Sequence, residues 1–269
     1  MSLERITSKD NAFLRRIAKL AQSGKTRLQE GEYVCEGKKL LSEAIRDGVE
    51  ICGVVCSESG LSASDPAFSD ALGALSCRKI VVPDALFAHV SILENSPGPL
   101  FLCRIPQEAP LEKGAYIALD GVQDPGNIGT ILRTAEAFGM RGVILLEGCA
   151  DVFQPKVVRA SMGSIFRQRV LHMDSSALFE KAKALDLPVY ATALYENSRS
   201  LRELPPGDAV VLIGSEGHGV REENIRRSTG SVLIPMRGKT ESLNAAVAAA
   251  VVMWEMSKWQ ENTGSGFPS

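Results

Sequence analysis

The sequence has few of the residues that build metal centres, disulfide frameworks or membrane spans. Its 269 residues include three histidines and six cysteines, and no two cysteines have C-x-x-C spacing. We therefore expect no metal site, and we expect the cysteines to be reduced thiols. No apolar stretch is long enough to cross a bilayer, and the first residues show no secretory signal pattern. These absences predict a cytoplasmic protein without a membrane segment.

The composition is otherwise that of a globular chain. Hydrophobic residues make up 45% and the net charge is −2, which is consistent with one or two domains that have real cores. Prolines and mixed charges interrupt the apolar pattern between Cys103 and Gly114. We predict a first domain at residues 1–104, a linker at 105–113 and a second domain at 114–269.

Three apolar runs in the second half of the chain are each followed by a glycine loop or a polar loop. The three segments are Leu119 to Met140, Val210 to Val220, and Ile234 to Val252. Open α/β sheets bind ligands at the carboxyl ends of their strands. The three loops are therefore expected to build one site.

The first segment predicts a strand, a turn at Asp124-Pro125-Gly126 and a helix that ends at Gly139. Asn127 is the expected N-cap. Arg133 follows Gly129 by four residues on the same helical face, so its side chain leans back toward the loop. A surface arginine would be the ordinary interpretation, but this spacing at a strand exit favours an anion or phosphate contact. The expected buried face of the helix consists of Ile131, Leu132, Ala135 and Phe138.

The other two segments exclude some alternatives. Gly214, Gly217 and Gly219 are not in the order G-x-G-x-x-G, so a dinucleotide site is not expected. Ser161 lacks the first glycine of G-x-S-x-G, so a serine hydrolase is not expected either. Ser242 is a plausible N-cap for the last helix. That helix is made of small apolar residues and should be buried.

Together these residues resemble the motifs of the SpoU (TrmH) class of SPOUT RNA methyltransferases. The matching pieces are Asp124-Pro-x-Asn127-x-Gly129-x-x-x-Arg133-Thr-Ala-x-x-Phe-Gly139, then Gly214-x-Glu216-Gly217-x-Gly219, then Ile234-Pro-Met236 with Glu241-Ser-Leu-Asn244. The resemblance covers about Ala115 to Trp254 and includes Val158 to Phe166. It implies an α/β catalytic domain with a parallel sheet and a C-terminal trefoil knot, preceded by a small ribosomal-protein-like α/β domain.

The resemblance also implies a reaction and a set of site residues. The family transfers a methyl group from S-adenosylmethionine to a ribose 2′-hydroxyl of RNA, and a homodimer is expected. The implied cofactor-binding residues are Thr192, Ala193, Leu194, Gly214, Glu216, Gly217, Ile234, Met236, Leu243 and Asn244. The implied catalytic residues are Asn127, Arg133, Glu216, Ser242 and Asn244. Arg133 would bind the substrate phosphate and align the hydroxyl, and base action is left open.

Residues 1–104 resemble the family's substrate-binding domain most closely at Gly31 to Leu40. Residues 1–30 carry seven basic and three acidic residues, and residues 154–170 carry no acid. A charge run is usually a solvated face, but beside an RNA-modifying domain it predicts phosphate contacts. The expected RNA-binding residues are Arg15, Arg16, Lys19, Lys25, Arg27, Lys156, Arg159 and Arg167.

The RNA itself is not determined by these patterns. Two-domain members of this class favour large-subunit ribosomal RNA, with transfer RNA as the alternative. A noncatalytic RNA-binding or ribosome-assembly factor on the same fold is the remaining hypothesis. An antibiotic-resistance role, as in related resistance enzymes, also stays open.

Overall fold

The computed structural model describes residues 3–94, 96–195, 197–204, 207–238 and 242–261, with side chains up to residue 258. The strands are β1 (Glu4–Arg5), β2 (Glu32–Glu36), β3 (Ile51–Ser57), β4 (Arg78–Val82), β5 (Leu100–Arg104), β6 (Ala115–Asp120), β7 (Gly142–Leu145), β8 (Val170–His172), β9 (Val189–Thr192), β10 (Arg199–Ser200), β11 (Ala209–Gly214) and β12 (Gly230–Leu233). The α-helices are α1 (Ala12–Gln22), α2 (Gly24–Glu30), α3 (Lys38–Arg46), α4 (Glu58–Ser62), α5 (Pro66–Ala74), α6 (Asp84–Val90), α7 (Pro125–Ala137), α8 (Pro155–Ala160), α9 (Ser175–Ala184), α10 (Glu222–Arg227) and α11 (Ala245–Glu261).

The chain forms two compact units. The first comprises Met1–Pro106 with Asp151–Phe166, and the second comprises Gln107–Ala150 with Arg167–Ser269. The sequence assigned residues 151–166 to the second domain, whereas here they belong to the first unit. An ion pair of 2.7 Å between Arg27 and Asp151 holds them there, and the rings of Tyr33 and Phe153 lie 4.9 Å apart.

The first unit contains a five-stranded sheet in the order β1-β4-β3-β5-β2. Strands β1, β4 and β3 run parallel, and β5 is antiparallel to both β3 and β2. Helix α1 buries Phe13, Leu14, Ile17 and Leu20 against it, at the spacing of an amphipathic helix. The serine-containing segment Gly60 to Asp70 is mostly helical. Ser57 and Asp65 accept hydrogen bonds that cap α4 and α5, and Pro66 begins α5.

The second unit contains a seven-stranded sheet in the order β10-β12-β9-β11-β6-β7-β8. Every neighbouring pair is parallel, so the predicted parallel α/β fold is confirmed. Asp120 at the end of β6 is opposite Gly214 at the end of β11. Val232 in β12 is opposite Thr192 at the end of β9. The loops that follow these strands therefore leave from the same edge of the sheet.

Candidate active site

A cavity of about 450 Å³ lies at this edge of the second unit. It is lined by segments that follow β9, β11 and β12 and by the start of α11. Eight of the ten predicted cofactor-binding residues line it: Thr192, Ala193, Leu194, Gly214, Glu216, Ile234, Met236 and Leu243. Gly217 and Asn244 are absent from this lining. The sequence did not single out Tyr195, His218 and Ile225, which also line the cavity.

The loop after β11 requires glycine at Gly214. A side chain there would place its Cβ atom 1.9 Å from the carbonyl carbon of Gly219, and this backbone neighbour cannot move aside. The loop folds back on itself, since the Gly219 amide donates to the Ser215 carbonyl at 2.9 Å. Gly219 itself has a φ of +67°, which is costly for other residues. The glycine pattern thus shapes a tight turn that presents Glu216.

Three of the predicted catalytic side chains meet in a hydrogen-bonded cluster. Asn127 donates through Nδ2 to Oε1 of Glu216. Asn244 donates to Oδ1 of Asn127 at 3.0 Å and to the same Glu216 oxygen at 3.4 Å. These residues come from α7, the loop after β11 and the start of α11. Glu216 and Asn244 are exposed and Asn127 is half-buried, so the cluster is open to an incoming molecule.

Two predicted helix caps are wrong, and the differences matter for this cluster. Asp124, not Asn127, caps α7, because its carboxylate accepts from the Asn127 amide at 2.8 Å. The Asn127 side chain is thereby free to reach Glu216. Asn244, not Ser242, caps the last helix, accepting from the Ala246 and Val247 amides at 3.0 and 3.3 Å. Both helix starts place an asparagine at the site.

Arg133 and Ser242 are not part of this cluster. Arg133 lies six residues beyond Asn127 on α7 and is exposed, and its side chain makes no hydrogen bond or ion pair with any residue in the described ranges. Its guanidinium is therefore open to a partner from outside the chain. Ser242 is exposed and lines the cavity. Glu241, which belongs to the third matching motif, lies outside the described residues.

A polar network next to the cluster was missed by sequence reasoning. The buried carboxylate of Asp120 accepts from the backbone amide of Arg221 at 2.9 Å, from its Nε at 2.6 Å and from Nδ2 of Asn224 at 2.8 Å. The Nη2 atom of Arg221 also donates to Glu147 at 2.7 Å and to Ser175 at 3.0 Å. Burial raises the pKa of Glu147, but hydrogen bonds from Arg221, from Ser175 and from backbone amides lower it, and the resulting pKa is about 2. The network fixes the position of Arg221, which directly follows the loop that carries Glu216.

The eight predicted RNA-binding residues differ in availability. Arg27 is 4% exposed and bonded to Asp151 and to two backbone carbonyls, so we correct its assignment to a structural one. Arg16 is paired with Glu30 and Glu32, and Arg167 with Glu136. The remaining five are exposed, lie in the first unit, and have no ion pair among the described residues: Arg15, Lys19, Lys25, Lys156 and Arg159.

Helix α11 is not wholly buried, contrary to the prediction. Val247, Val251 and Trp254 are 49%, 37% and 56% exposed and recur at the spacing of one helical face. Trp254 packs against Phe138, with ring centroids 5.6 Å apart. Asn127 and Asn244 border the same shallow groove between α7 and α11. An exposed apolar stripe thus continues from the polar cluster.

Other features of the chain bear on cofactors and compartment. All six cysteines are free, and burial raises the pKa of the Cys56 thiol to about 11, which makes it unreactive. Within the described ranges, no group of three or more His, Cys, Asp or Glu side chains could hold a metal ion. None of the helices described is long and apolar enough to cross a membrane.

Comparison with known proteins assigns the chain to a family. The SpoU rRNA Methylase family matches residues 114–254, more than half of the chain, and an MRM3-like substrate binding domain matches residues 11–100. The 23S rRNA (guanosine(2553)-2′-O)-methyltransferase RlmP of Bacillus subtilis is 31% identical over 86% of this chain and 91% of its own length.

A transfer RNA enzyme and a solved structure are also similar. The tRNA (guanosine(18)-2′-O)-methyltransferase of Thermus thermophilus is 34% identical over 55% of this chain and 76% of its own. The crystal structure of an AdoMet-bound rRNA methyltransferase from Sinorhizobium meliloti superposes with a TM-score of 0.83 at 28% identity. It covers 95% of this chain and 98% of its own. The chain belongs to the SpoU rRNA Methylase family.

Proposed function

We propose that this protein methylates a ribose 2′-hydroxyl of RNA with S-adenosylmethionine as the methyl donor. The observation that carries the proposal is the cluster of Asn127, Glu216 and Asn244 beside a cavity lined by eight predicted cofactor residues. Three segments distant in sequence supply this arrangement, and it combines a carboxylate with two amides beside an open cavity.

The cavity fits the cofactor in size and in chemistry. Small-molecule sites are typically about 300–1,000 Å³, apolar, and provided with a few polar groups. Here Ile234, Met236 and Leu243 supply apolar walls, while Glu216 and Ser242 supply polar atoms. Bound S-adenosylmethionine would supply the methyl group from a sulfonium centre, so the protein's own work is orientation and electrostatics.

The site residues divide into three proposed roles. Thr192 to Leu194, Gly214, Gly217 and the walls of the cavity hold the cofactor. Asn127, Ser242 and Asn244 orient the acceptor ribose, with Glu216 held in place by the two asparagines. Arg133, which is exposed and unpaired among described residues, binds the substrate phosphate, because a guanidinium keeps its proton in proteins and matches phosphate geometry.

Large-subunit ribosomal RNA is the proposed substrate class. The relative that acts on 23S rRNA aligns with 86% of this chain, whereas the transfer RNA relative aligns with 55%. The first unit carries the MRM3-like substrate binding match and the five available basic side chains. We assign RNA binding to Arg15, Lys19, Lys25, Lys156 and Arg159, which makes affinity depend on salt.

The active form is proposed to be a homodimer in the cytoplasm. A second copy would cover the stripe formed by Val247, Val251 and Trp254, because a two-fold axis brings the same helical face of each copy together. The stripe borders Asn127 and Asn244, so dimerisation would also close the site. Free cysteines are consistent with a reducing compartment.

Two titrations and one transfer assay test the proposal. Leu194→Asp puts a charge on the exposed wall of the cavity and should weaken S-adenosylmethionine binding, measured by calorimetry. Leu28→Asp, at another exposed leucine that lies in the first unit, should leave this binding unchanged. Methyl transfer to ribosomal RNA then separates an enzyme from a noncatalytic RNA-binding factor. Cofactor binding without transfer to ribosomal or transfer RNA would favour the noncatalytic alternative.

A further inference from the structure

Met162 has an unusual backbone conformation for its residue type. Its φ is +51°, a left-handed value that side chains with a Cβ atom disfavour. Among the non-glycine residues in the described ranges, only Asp186 shares this conformation. Met162 is nevertheless 53% exposed. A strained backbone that presents an apolar side chain to solvent suggests a use outside the folded core.

The residues around Met162 are firmly anchored. Ser161 is buried and its hydroxyl donates to the Val158 carbonyl at 2.7 Å. On the other side Ser164 and Ile165 are buried as well. The Met162 amide donates to the Arg159 carbonyl at 3.2 Å, so Met162 follows Arg159 by one turn. Its position is therefore set by the first unit and not by a mobile loop.

The chain segment around Met162 is positively charged. Lys156 and Arg159 lie three residues apart on α8, and both are exposed. From residue 152 to residue 169 the chain has no acidic residue. The preceding acid, Asp151, is already paired with Arg27. An exposed apolar residue thus follows two exposed cations, unpaired among the described residues, by three and six residues, an arrangement that suits a base flanked by phosphates.

We propose that Met162 contacts an unpaired nucleobase of the RNA substrate, while Lys156 and Arg159 bind the neighbouring phosphates. The inference rests on the proposed function, since it names a contact of that substrate with the first unit. Proteins insert apolar side chains, methionine included, between base steps that they partly unstack. Sequence-specific RNA binding mostly targets bases that are already unstacked. The thioether is polarisable and adapts to a planar partner.

The test separates this contact from a structural role. Met162→Gly relieves the left-handed backbone, so its melting temperature should equal or exceed that of the wild type. Its RNA Kd should nevertheless rise at least about fivefold, the lower range for one lost base contact. The salt slope should stay unchanged, whereas Arg159→Ala should lower it by about 0.7–0.9. Met162→Leu keeps an apolar tip and should restore affinity.

Two further variants complete the design. Asp186→Gly relieves the same backbone strain in the second unit and should bind RNA like the wild type. Met162→Gln keeps side-chain length but loses apolarity, and should weaken binding as Met162→Gly does. Unchanged RNA affinity in Met162→Gln would overturn the inference. A molar mass of Met162→Gln that differs from that of the wild type in light scattering would also overturn it, because it would show that a second copy of the chain covers Met162. Failure of the wild type to bind or methylate any RNA would instead overturn the proposed function.

Discussion

Replacing Arg221 by alanine should loosen the loop that carries Glu216. The side chain of Arg221 joins the carboxylates of Asp120 and Glu147 through contacts of 2.6 and 2.7 Å. Asp120 has no exposed side-chain surface, so its charge depends on these donors. The variant keeps the backbone amide of residue 221 and the Asn224 amide as donors to Asp120.

The expected destabilisation of Arg221→Ala follows from this partial loss of hydrogen-bond donors to Asp120. Leaving a buried charge without its ion partner costs about 3–5 kcal/mol of folding free energy. Because two donors to Asp120 remain, we expect the variant to lose about 3 kcal/mol. For a unit of this size the melting temperature falls by about 2–4 °C per kcal/mol, so we expect a decrease of about 6–12 °C. If the loop is then competent in one molecule of ten, the apparent Kd for S-adenosylmethionine rises about tenfold.

Arg226 provides the matched control for this variant. It lies on α10, and its pair with Glu222 joins two side chains that are each 69% exposed. Such a pair contributes about 0.3–0.5 kcal/mol, so Arg226→Ala should change neither melting nor cofactor affinity measurably. Differential scanning calorimetry and cofactor titration on both variants give the comparison. Equal melting temperatures and equal Kd values for Arg221→Ala and Arg226→Ala would refute the reasoning.

Three other predictions follow from the site. Arg133→Ala should keep cofactor affinity and lower single-turnover methyl transfer by roughly 10² or more, and Arg133→Lys should rescue little; near-normal turnover would remove Arg133 from the catalytic set. Because the pKa of Glu147 is lowered in the fold, its ionised carboxylate stabilises the protein above pH 4.5, and this stabilisation is lost as the pH falls to about 2. Glu147→Gln should therefore reduce the dependence of the melting temperature on pH between these values; an unchanged pH dependence would contradict this. Val251→Asp should give a monomer of about half the wild-type mass in light scattering, because it charges the exposed stripe; an unaltered mass would exclude that interface.

Much of the fold could be predicted from local patterns. Short apolar runs that end in glycine or polar loops identified β6 and β11, and the rule that ligands bind at carboxyl ends of parallel strands placed their loops together. Family membership, the parallel sheet and the cofactor class were confirmed by the comparisons. The trefoil knot stays a prediction, because strand order does not describe how the chain is threaded.

The remaining differences arise from contacts that span the sequence. From the sequence, Arg27 was expected to be free to bind RNA. Its partner Asp151 lies 124 residues away in the sequence, so the local pattern does not show the ion pair. The Asp120–Arg221 pair spans 101 residues, so neither residue shows locally that it is buried or bonded. Asn127 was assigned to a cap because Asp124 was read only as part of a turn, although aspartate is an equally good cap. An apolar helix such as α11 does not reveal from sequence whether its own chain covers it.

The position of the transferred methyl group tests the central claim most directly. The protein would be incubated with unmodified large-subunit ribosomal RNA and S-adenosylmethionine that carries a labelled methyl group, and the RNA hydrolysed in alkali. A 2′-O-methyl group blocks alkaline cleavage of the adjacent phosphodiester, because the 2′-oxygen can no longer attack phosphorus. We expect the label in an alkali-resistant dinucleotide with the methyl group on its ribose. Label in mononucleotides, which would place the methyl group on a base, or no transfer to this RNA, would contradict the account.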